Sequence, residues 1–238
     1  MKYNASVKTV EDVTYYDDEI TCTIEIDEAN FYSEDVKVTV TKDGEEFDVT
    51  VAWTKESADR NTGIFTLKQD GEYTISIEYT DKSGNKMVNY VSEKHTLDTT
   101  HPKINVSNIK ANSANKDEEY GFVIDIHDIN LDVESMKPVL TAVVKDENGI
   151  YTVKEIELGE PTAVEEGERY TYTVENLSED ALYKLTCTVM DMAENETIEM
   201  LLEDGEAYEE VAFSINRNGS TFAYGNEFTE KLVEQYYV

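Results

Sequence analysis

A sixteen-residue stretch that occurs twice constrains the fold of this chain more than any other feature. The copies span Asp70–Asn85 and Asp180–Asn195, at a constant offset of 110. Each copy begins with an Asp-x-x-Tyr corner, continues with alternating apolar residues, and ends in a polar loop. Alternation with a period of two indicates a half-buried β-strand. The matching positions of the first copy are Asp70, Tyr73, Ile75, Ile77, Asp81 and Asn85.

A second strand pattern also repeats. Ile20–Ile26 returns as Tyr120–Ile126 at an offset of 100, and an acidic loop follows each copy. Between these anchors lie further short alternating runs bounded by Gly, Asp or Asn, and helical periodicity is absent from both repeats. About seven short strands in roughly 100 residues are typical of an immunoglobulin-like sandwich. We therefore predict an all-β chain with two tandem immunoglobulin-like antiparallel β-sandwiches and a C-terminal extension.

The offsets and a proline set the predicted domain boundaries. Leu97–Ile104 forms a short linker, because Pro102 holds the residue before it in an extended conformation. The growth of the offset from 100 to 110 indicates a ten-residue net insertion, which we place at the turn-rich Pro161–Gly167. The predicted domains are 1–98 (first sandwich), 99–205 (second sandwich) and 206–238 (an extension that begins a further module).

The extension contains two further patterns. Val211–Ile215 alternates like a strand, and Phe228–Tyr237 has apolar residues at helical spacing.

Charge and apolar content exclude several partners. The chain has 20 basic and 52 acidic side chains, a formal charge of −32, which repels nucleic acid and anionic lipid and favours divalent cations. No run of about 20 apolar residues is present, and Met1–Ser6 lacks an apolar signal core, so we predict no membrane insertion and either a cytosolic protein or an excerpt of a longer one. Cys22 and Cys187 fall in different repeats at inward strand positions, so we expect two buried free thiols.

Motifs of known enzyme classes were sought and are missing from the sequence. There is no Gly-x-Ser-x-Gly, no glycine-rich phosphate loop, no His-Glu-x-x-His and no Cys-x-x-Cys. We therefore predict that the chain is not an enzyme and requires no cofactor.

Several short motifs, in the same order, resemble a known family. They look like the bacterial immunoglobulin-like modules strung along large cell-surface proteins of Gram-positive gut bacteria. The resemblance implies an extracellular location, neighbouring modules of the same chain as partners, and a role as spacer, stalk or adhesin segment. The motifs are Tyr15-Tyr16, Thr23–Phe31, Asp70–Tyr73, Tyr79–Asn85, Asp98–Pro102 and Phe213–Ser220.

The two Asp-x-x-Tyr motifs resemble the tyrosine corner of such sandwiches, in which the hydroxyl at the start of the F strand bonds a nearby backbone group. We assign them a structural role. The residues are Asp70 with Tyr73 and Asp180 with Tyr183.

Oxygen-bearing side chains are predicted to meet at the junction of the modules. The loops after the B and F strands lie at the end where the chain enters a sandwich, so the linker arrives beside them in the second module. Ca²⁺ takes six to eight oxygen ligands, and we predict an interdomain Ca²⁺ site; the plainer alternative is a solvated loop end, since Asp and Asn are ordinary turn residues. The predicted ligands are Asp98, Asp128, Asn130, Asp191 and Asn195.

Two functions fit these patterns. The first is a non-catalytic spacer or stalk that projects a functional head from a bacterial cell surface. The alternative is an adhesin or carbohydrate-binding module that recognises a host protein or glycan through exposed aromatic side chains, of which 16 tyrosines are available.

Overall fold

The structure is a computed structural model that describes residues 1–116, 120–145 and 148–217. The predicted helix Phe228–Tyr237 lies outside the described residues. Within them, no helix has the length and apolar character needed to cross a bilayer.

The first module is built from two sheets. β1, β4, β8 and β7 form one sheet in that order, and β2, β3, β11, β9, β5 and β6 form the other, with β10 paired to β9. The strands are β1 (Lys2–Tyr3), β2 (Lys8–Val10), β3 (Val13–Tyr16), β4 (Ile20–Asp27), β5 (Val36–Lys42), β6 (Glu45–Phe47), β7 (Ala52–Lys55), β8 (Arg60–Leu67), β9 (Gly71–Tyr79), β10 (Tyr90–Val91) and β11 (Lys94–Leu97).

The second module repeats this plan. Its sheets have the orders β17-β18-β14-β12-β21-β22 and β13-β23-β19-β15-β16, with β20 paired to β19. The strands are β12 (Lys103–Ser107), β13 (Ser113–Asn115), β14 (Tyr120–His127), β15 (Lys137–Lys145), β16 (Tyr151–Ile156), β17 (Thr162–Glu165), β18 (Arg169–Leu177), β19 (Ala181–Met190), β20 (Glu196–Thr197), β21 (Met200–Leu202), β22 (Ala207–Tyr208) and β23 (Val211–Ile215).

This strand order is that of an immunoglobulin-like sandwich. In the first module β1, β4, β8 and β7 correspond to strands A, B, E and D, and β11, β9 and β5 correspond to G, F and C. Strand β3 runs parallel to β11, as strand A′ runs beside G, and β2 lies at the edge beyond it. The predicted pair of tandem all-β sandwiches is confirmed.

Alternating side chains of the two sheets form one core in each module. Strands β4 and β14 both alternate buried and more exposed residues throughout. Cys22 and Cys187 face these cores with 0% and 1% exposure, and burial raises the pKa of each thiol to about 12. In the second core Tyr183 stacks on Phe213 with 5.2 Å between ring centroids.

The structure corrects the position of the insertion. In the first module Val40 pairs with Phe47 across the hairpin of β5 and β6, which are strands C and C′. In the second module Leu140 pairs with Ile156 across the hairpin of β15 and β16, so this hairpin is nine residues longer (16 − 7). Pro161–Gly167 instead contains β17, which pairs with β18 as β7 pairs with β8. The extra residues lie in the hairpin of β15 and β16, in which Thr152–Glu155 are exposed.

The structure also moves the end of the second module beyond residue 205. Val211–Ile215, which the sequence assigns to the extension from residue 206, is strand β23 and pairs with β19. His95 lies opposite Tyr73 and Phe213 opposite Tyr183, so the offset has grown to 118 (213 − 95). The connection between strands F and G is longer in the second module and contains β21 and β22. Strand β21 pairs with β12, and β22 pairs with β21.

Both predicted corner tyrosines bond backbone four residues upstream. The Tyr73 hydroxyl donates to the Gln69 carbonyl at 2.5 Å, and the Tyr183 hydroxyl donates to the Glu179 carbonyl at 2.9 Å. Each bond closes the turn between strands E and F, which fixes where the F strand begins.

We expect Tyr183→Phe to destabilise the second module by about 1 kcal/mol, because it deletes one buried hydrogen bond and keeps the ring. Tyr73→Phe should do the same to the first module. Urea unfolding followed by circular dichroism measures both, with the exposed Tyr32→Phe as a control that should leave stability unchanged. Loss of less than a few tenths of a kcal/mol in both corner variants contradicts the assignment.

Candidate interdomain metal site

The linker between the modules is hydrogen-bonded along its length. After β11 ends at Leu97, the Asp98 amide donates to the Tyr16 carbonyl at 3.0 Å, which holds the start of the linker on the first module. Its far end is bonded to the second module, because the Thr197 hydroxyl donates to the Pro102 carbonyl at 2.7 Å. The linker therefore belongs to both modules.

Three predicted carboxylates converge on this linker. Asp98 follows β11, Asp128 follows β14 and Asp191 follows β19, so one comes from the linker and two from loops of the second module. One oxygen of each lies within 4.8 Å of the others. Asp98 is 4% exposed and Asp191 0% exposed, while Asp128 is half-buried.

The two predicted asparagines lie in the same cluster but act as donors. The Asn130 side-chain amide donates to Asp98 Oδ2 at 2.6 Å. Asn195 Nδ2 donates to Asp191 Oδ2 at 2.7 Å and to the Asp98 carbonyl at 2.9 Å, so its nitrogen is surrounded by acceptors. Asn195 therefore orients a carboxylate and the linker through its nitrogen, and the three carboxylates are the predicted ligands whose oxygens converge.

Burial makes this cluster costly to ionise. Burial raises the pKa of Asp191 to about 6, with the charges of Asp98 and Asp128 adding to the rise and the bonds from Asn195 opposing it. Burial also raises the pKa of Asp128. Among the described residues, no Lys or Arg forms a salt bridge with any of the three. The charge of Lys103 and hydrogen bonds from Asn130 and Asn195 offset part of this charge, and protons or a bound cation can offset more of it.

We expect the second module to lose about 2 kcal/mol of stability between about pH 4.5 and 7 in chelator. The folded state holds the Asp191 proton to higher pH than the unfolded chain, so this stability is complete below the unfolded-state pKa and is lost as pH rises through about 6. Urea unfolding at both pH values measures it. Asp191→Asn cannot titrate, so its pH dependence should be smaller by that amount, and an equal dependence contradicts the assignment.

A second contact, which the sequence analysis missed, holds the linker to the first module. The Asp70 carboxylate accepts hydrogen bonds from the Thr99 hydroxyl at 3.0 Å and the Thr100 hydroxyl at 2.8 Å. The corresponding Asp180 accepts the Arg217 amide at 3.0 Å. The aspartate of each Asp-x-x-Tyr motif thus holds the segment that leaves its module; the recurrence of Asp next to a corner tyrosine was the available signal.

A direct ion pair also joins the modules outside the linker. Lys8 of β2 lies 2.7 Å from Asp132 of the second module, and this hydrogen bond raises the pKa of Lys8. Lys8 carries no motif that would have indicated the pairing.

Both histidines of the junction line one cavity, and His101 also contacts the backbone. His101 Nδ1 is 2.8 Å from the Glu196 carbonyl, which engages that nitrogen with the backbone. His127 lines a cavity of about 580 Å³ beside the cluster, together with Asp70, Asp98 and Asp128. Two of the three carboxylates, Asp98 and Asp128, therefore line this cavity, whereas Asp191 does not.

Comparison with known proteins gives structural neighbours without sequence relatives. No protein-family model and no curated protein matches the chain. An I-band fragment of titin is 15% identical, with 82% of this chain and 59% of that one covered and a TM-score of 0.34. SGBP-B of a Bacteroides ovatus mixed-linkage glucan utilization locus, solved with a heptasaccharide, is 18% identical (89% and 44%, TM-score 0.23).

A titin tandem of two immunoglobulin domains is 12% identical, with 86% of this chain and 91% of that one covered and a TM-score of 0.31. The chain thus spans 59% and 44% of the first two structures and most of the third. At such identities and TM-scores the similarity carries no functional argument. The sheet order described above is what identifies the chain as a tandem of immunoglobulin-like sandwiches.

Proposed function

We propose that this chain is a non-catalytic spacer or stalk segment of an extracellular bacterial surface protein, in which two linked modules hold a functional head away from the cell. The observation that carries the proposal is that the linker is hydrogen-bonded to both modules. Linker residues are bonded to the first module through Asp70 and to the second through Asn195 and Thr197. A linker bonded to both modules would restrict the angle between them, as a spacer requires.

We assign the three carboxylates of the junction to Ca²⁺ binding. Ca²⁺ takes oxygen ligands at 2.3–2.6 Å, and three oxygens within 4.8 Å of one another can surround one ion at that distance. The cavity beside the cluster leaves room for water to complete the coordination. A cation there neutralises charge that burial makes costly and joins Asp98 of the linker to Asp128 and Asp191 of the second module.

The exposed aromatic surface favours the spacer over the carbohydrate-binding alternative. Among the described residues, Tyr32, at 45% exposure, is the one exposed Tyr, Phe or Trp side chain. The Lys82 ammonium lies over its ring, 4.9 Å from the centroid. Glycan-binding platforms need several exposed rings, because stacking on sugar faces supplies much of the affinity.

Spin-label distances between the modules test the spacer. Glu46→Cys on β6 and Glu155→Cys on β16 are exposed, and the buried native thiols will not compete for label. We expect a single narrow distance distribution, which becomes narrower still when Ca²⁺ is added. A broad distribution under both conditions refutes the stalk. Reproducible binding on a glycan array would favour the alternative.

A further inference from the structure

The leading end of each module is formed by the loop after strand B and the loop after strand F, and the two leading ends share one geometry. In the second module, the Asn195 amide and side chain donate to the Asp191 carboxylate at 2.9 and 2.7 Å. In the first, Asn85 makes the same two bonds to Asp81, at 2.8 and 2.7 Å. The loop after strand F, which holds the linker in the second module, thus has the same conformation-defining bonds in the first.

The loop after strand B repeats as well. The Asn130 amide donates to Asp128 Oδ1 at 2.8 Å, and the Asn30 amide donates to Glu28 Oε1 at 2.8 Å. The leading end of the first module therefore presents two carboxylates and two asparagines, in the places taken in the second by Asp128, Asp191, Asn130 and Asn195.

The two leading ends differ in what covers them. Asn195 is 9% exposed because its side chain also donates to the Asp98 carbonyl of the linker. Asn85 is exposed, and in the part of the chain that the structure describes its side chain donates to Asp81 alone. Asn30 is exposed too, whereas the Asn130 side chain donates to the Asp98 carboxylate. The asparagines that hold the linker in the second module thus bond no linker in the described part of the first.

Strand β4 of the first module, which leads into the loop after strand B, is also partly unpaired on one side. In the second module β12 pairs with β14 over Val123–His127. In the first module β1 pairs with β4 at Cys22 and Thr23, and within the described residues Ile24–Asp27 have no partner on that side. An extended segment can add to such an edge through backbone hydrogen bonds.

We infer that the leading end of the first module docks an extended segment of the sequence class Asp-Thr-Thr-x-Pro, the exit linker of another module of this type. Its Asp would accept from Asn30 and join Glu28 and Asp81, its next peptide carbonyls would accept from Asn85, and the residues after its Pro would pair with Glu25–Asp27. The inference deepens the proposed function and rests on it, because it extends the series of linked modules by one junction.

The occupant is the exit linker of a preceding module in the same polypeptide, as β12 follows the linker in the second module, and a separate chain that carries the same segment is the other outcome of the test. The linker within this chain is already bound at its own junction. Asp98 is 4% exposed, and its carboxylate accepts hydrogen bonds from the Thr100 amide and the Asn130 side chain. Both sources offer the same chemistry, and they are distinguished by supplying the segment covalently or in solution.

An eight-residue peptide with the sequence of Asp98–Asn105 tests docking in solution with Ca²⁺ present. We expect amide chemical-shift changes at Ile24–Asp27, Asn30 and Asn85, with no change at the occupied Asn195. Asn85→Ala in the protein, or Asp98→Ala in the peptide, should weaken binding about tenfold, as loss of one charged or amide hydrogen bond predicts. A peptide of the same composition in scrambled order is the control.

The covalent form places the same eight residues directly before Met1, since the strand pairings align Lys2 with Ser107. We expect slower hydrogen exchange at Ile24–Asp27, which Asn85→Ala reverses. Protection by the fused segment without peptide binding assigns the source to a preceding module of the same chain, and binding of the peptide as well admits a separate chain. If neither occurs, the inference is wrong, while the inter-module distances that test the stalk are unaffected.

Discussion

At neutral pH the second module should unfold at a higher temperature in Ca²⁺ than in chelator. A ligand that binds the folded state alone stabilises it by about 2.7 kcal/mol at 100 times its dissociation constant and by about 4 kcal/mol at 1,000 times. The three carboxylates exist as a cluster only in the folded junction, because Asp98 comes from the linker. Differential scanning calorimetry with Ca²⁺ and with chelator measures the shift.

Matched variants distinguish a site from a general effect on an acidic protein. Asp191→Asn should remove most of the Ca²⁺ response and should raise stability in chelator, since it removes a buried charge. Asp81→Asn, at the corresponding position of the first module, should keep the response. Equal midpoints with Ca²⁺ and with chelator in the unchanged protein would eliminate the cation.

The sandwich fold could be predicted because it depends on inward strands. Strands β9 and β19 alternate cleanly, since one face of each packs in a core, so their repeat is visible in the sequence. Strand β16 has no such pattern; its central residues are exposed, Val153 to 67%, and the nine extra residues of its hairpin were therefore misplaced. An offset reports the size of an insertion between two anchors but not its position.

The residues that meet at the junction could be predicted, but the hydrogen bonds that each side chain makes there could be predicted only in part. Topology alone brings the loops after strands B and F to the linker, which is why Asp128 and Asp191 meet Asp98. The role of an asparagine cannot be read this way, because its amide offers both a donor and an acceptor and its neighbours decide which is used. Asn195 faces a carboxylate and a carbonyl, so it donates.

Replacing Asn195 by Ala should be the most damaging polar substitution at the junction. Its side chain donates to the Asp191 carboxylate, to the Asp98 carbonyl at 2.9 Å and to the Thr100 carbonyl at 3.4 Å. The site is buried, so these acceptors would lose their partner without full access to water. Each buried group left unsatisfied costs about 1–3 kcal/mol, and we expect a loss of about 3 kcal/mol or more.

The first module supplies the control for this substitution within the same chain. Asn85 makes the same bonds to Asp81 but is exposed, so water can replace its side chain, and Asn85→Ala should cost less than about 1 kcal/mol. Urea unfolding gives both values, and the distance between labels on β6 and β16 should broaden for Asn195→Ala alone. Similar losses in the two variants would mean that Asn195 stabilises its own loop and does not hold the linker. The difference between the variants therefore measures what the linker adds to a loop with the same two Asp–Asn hydrogen bonds.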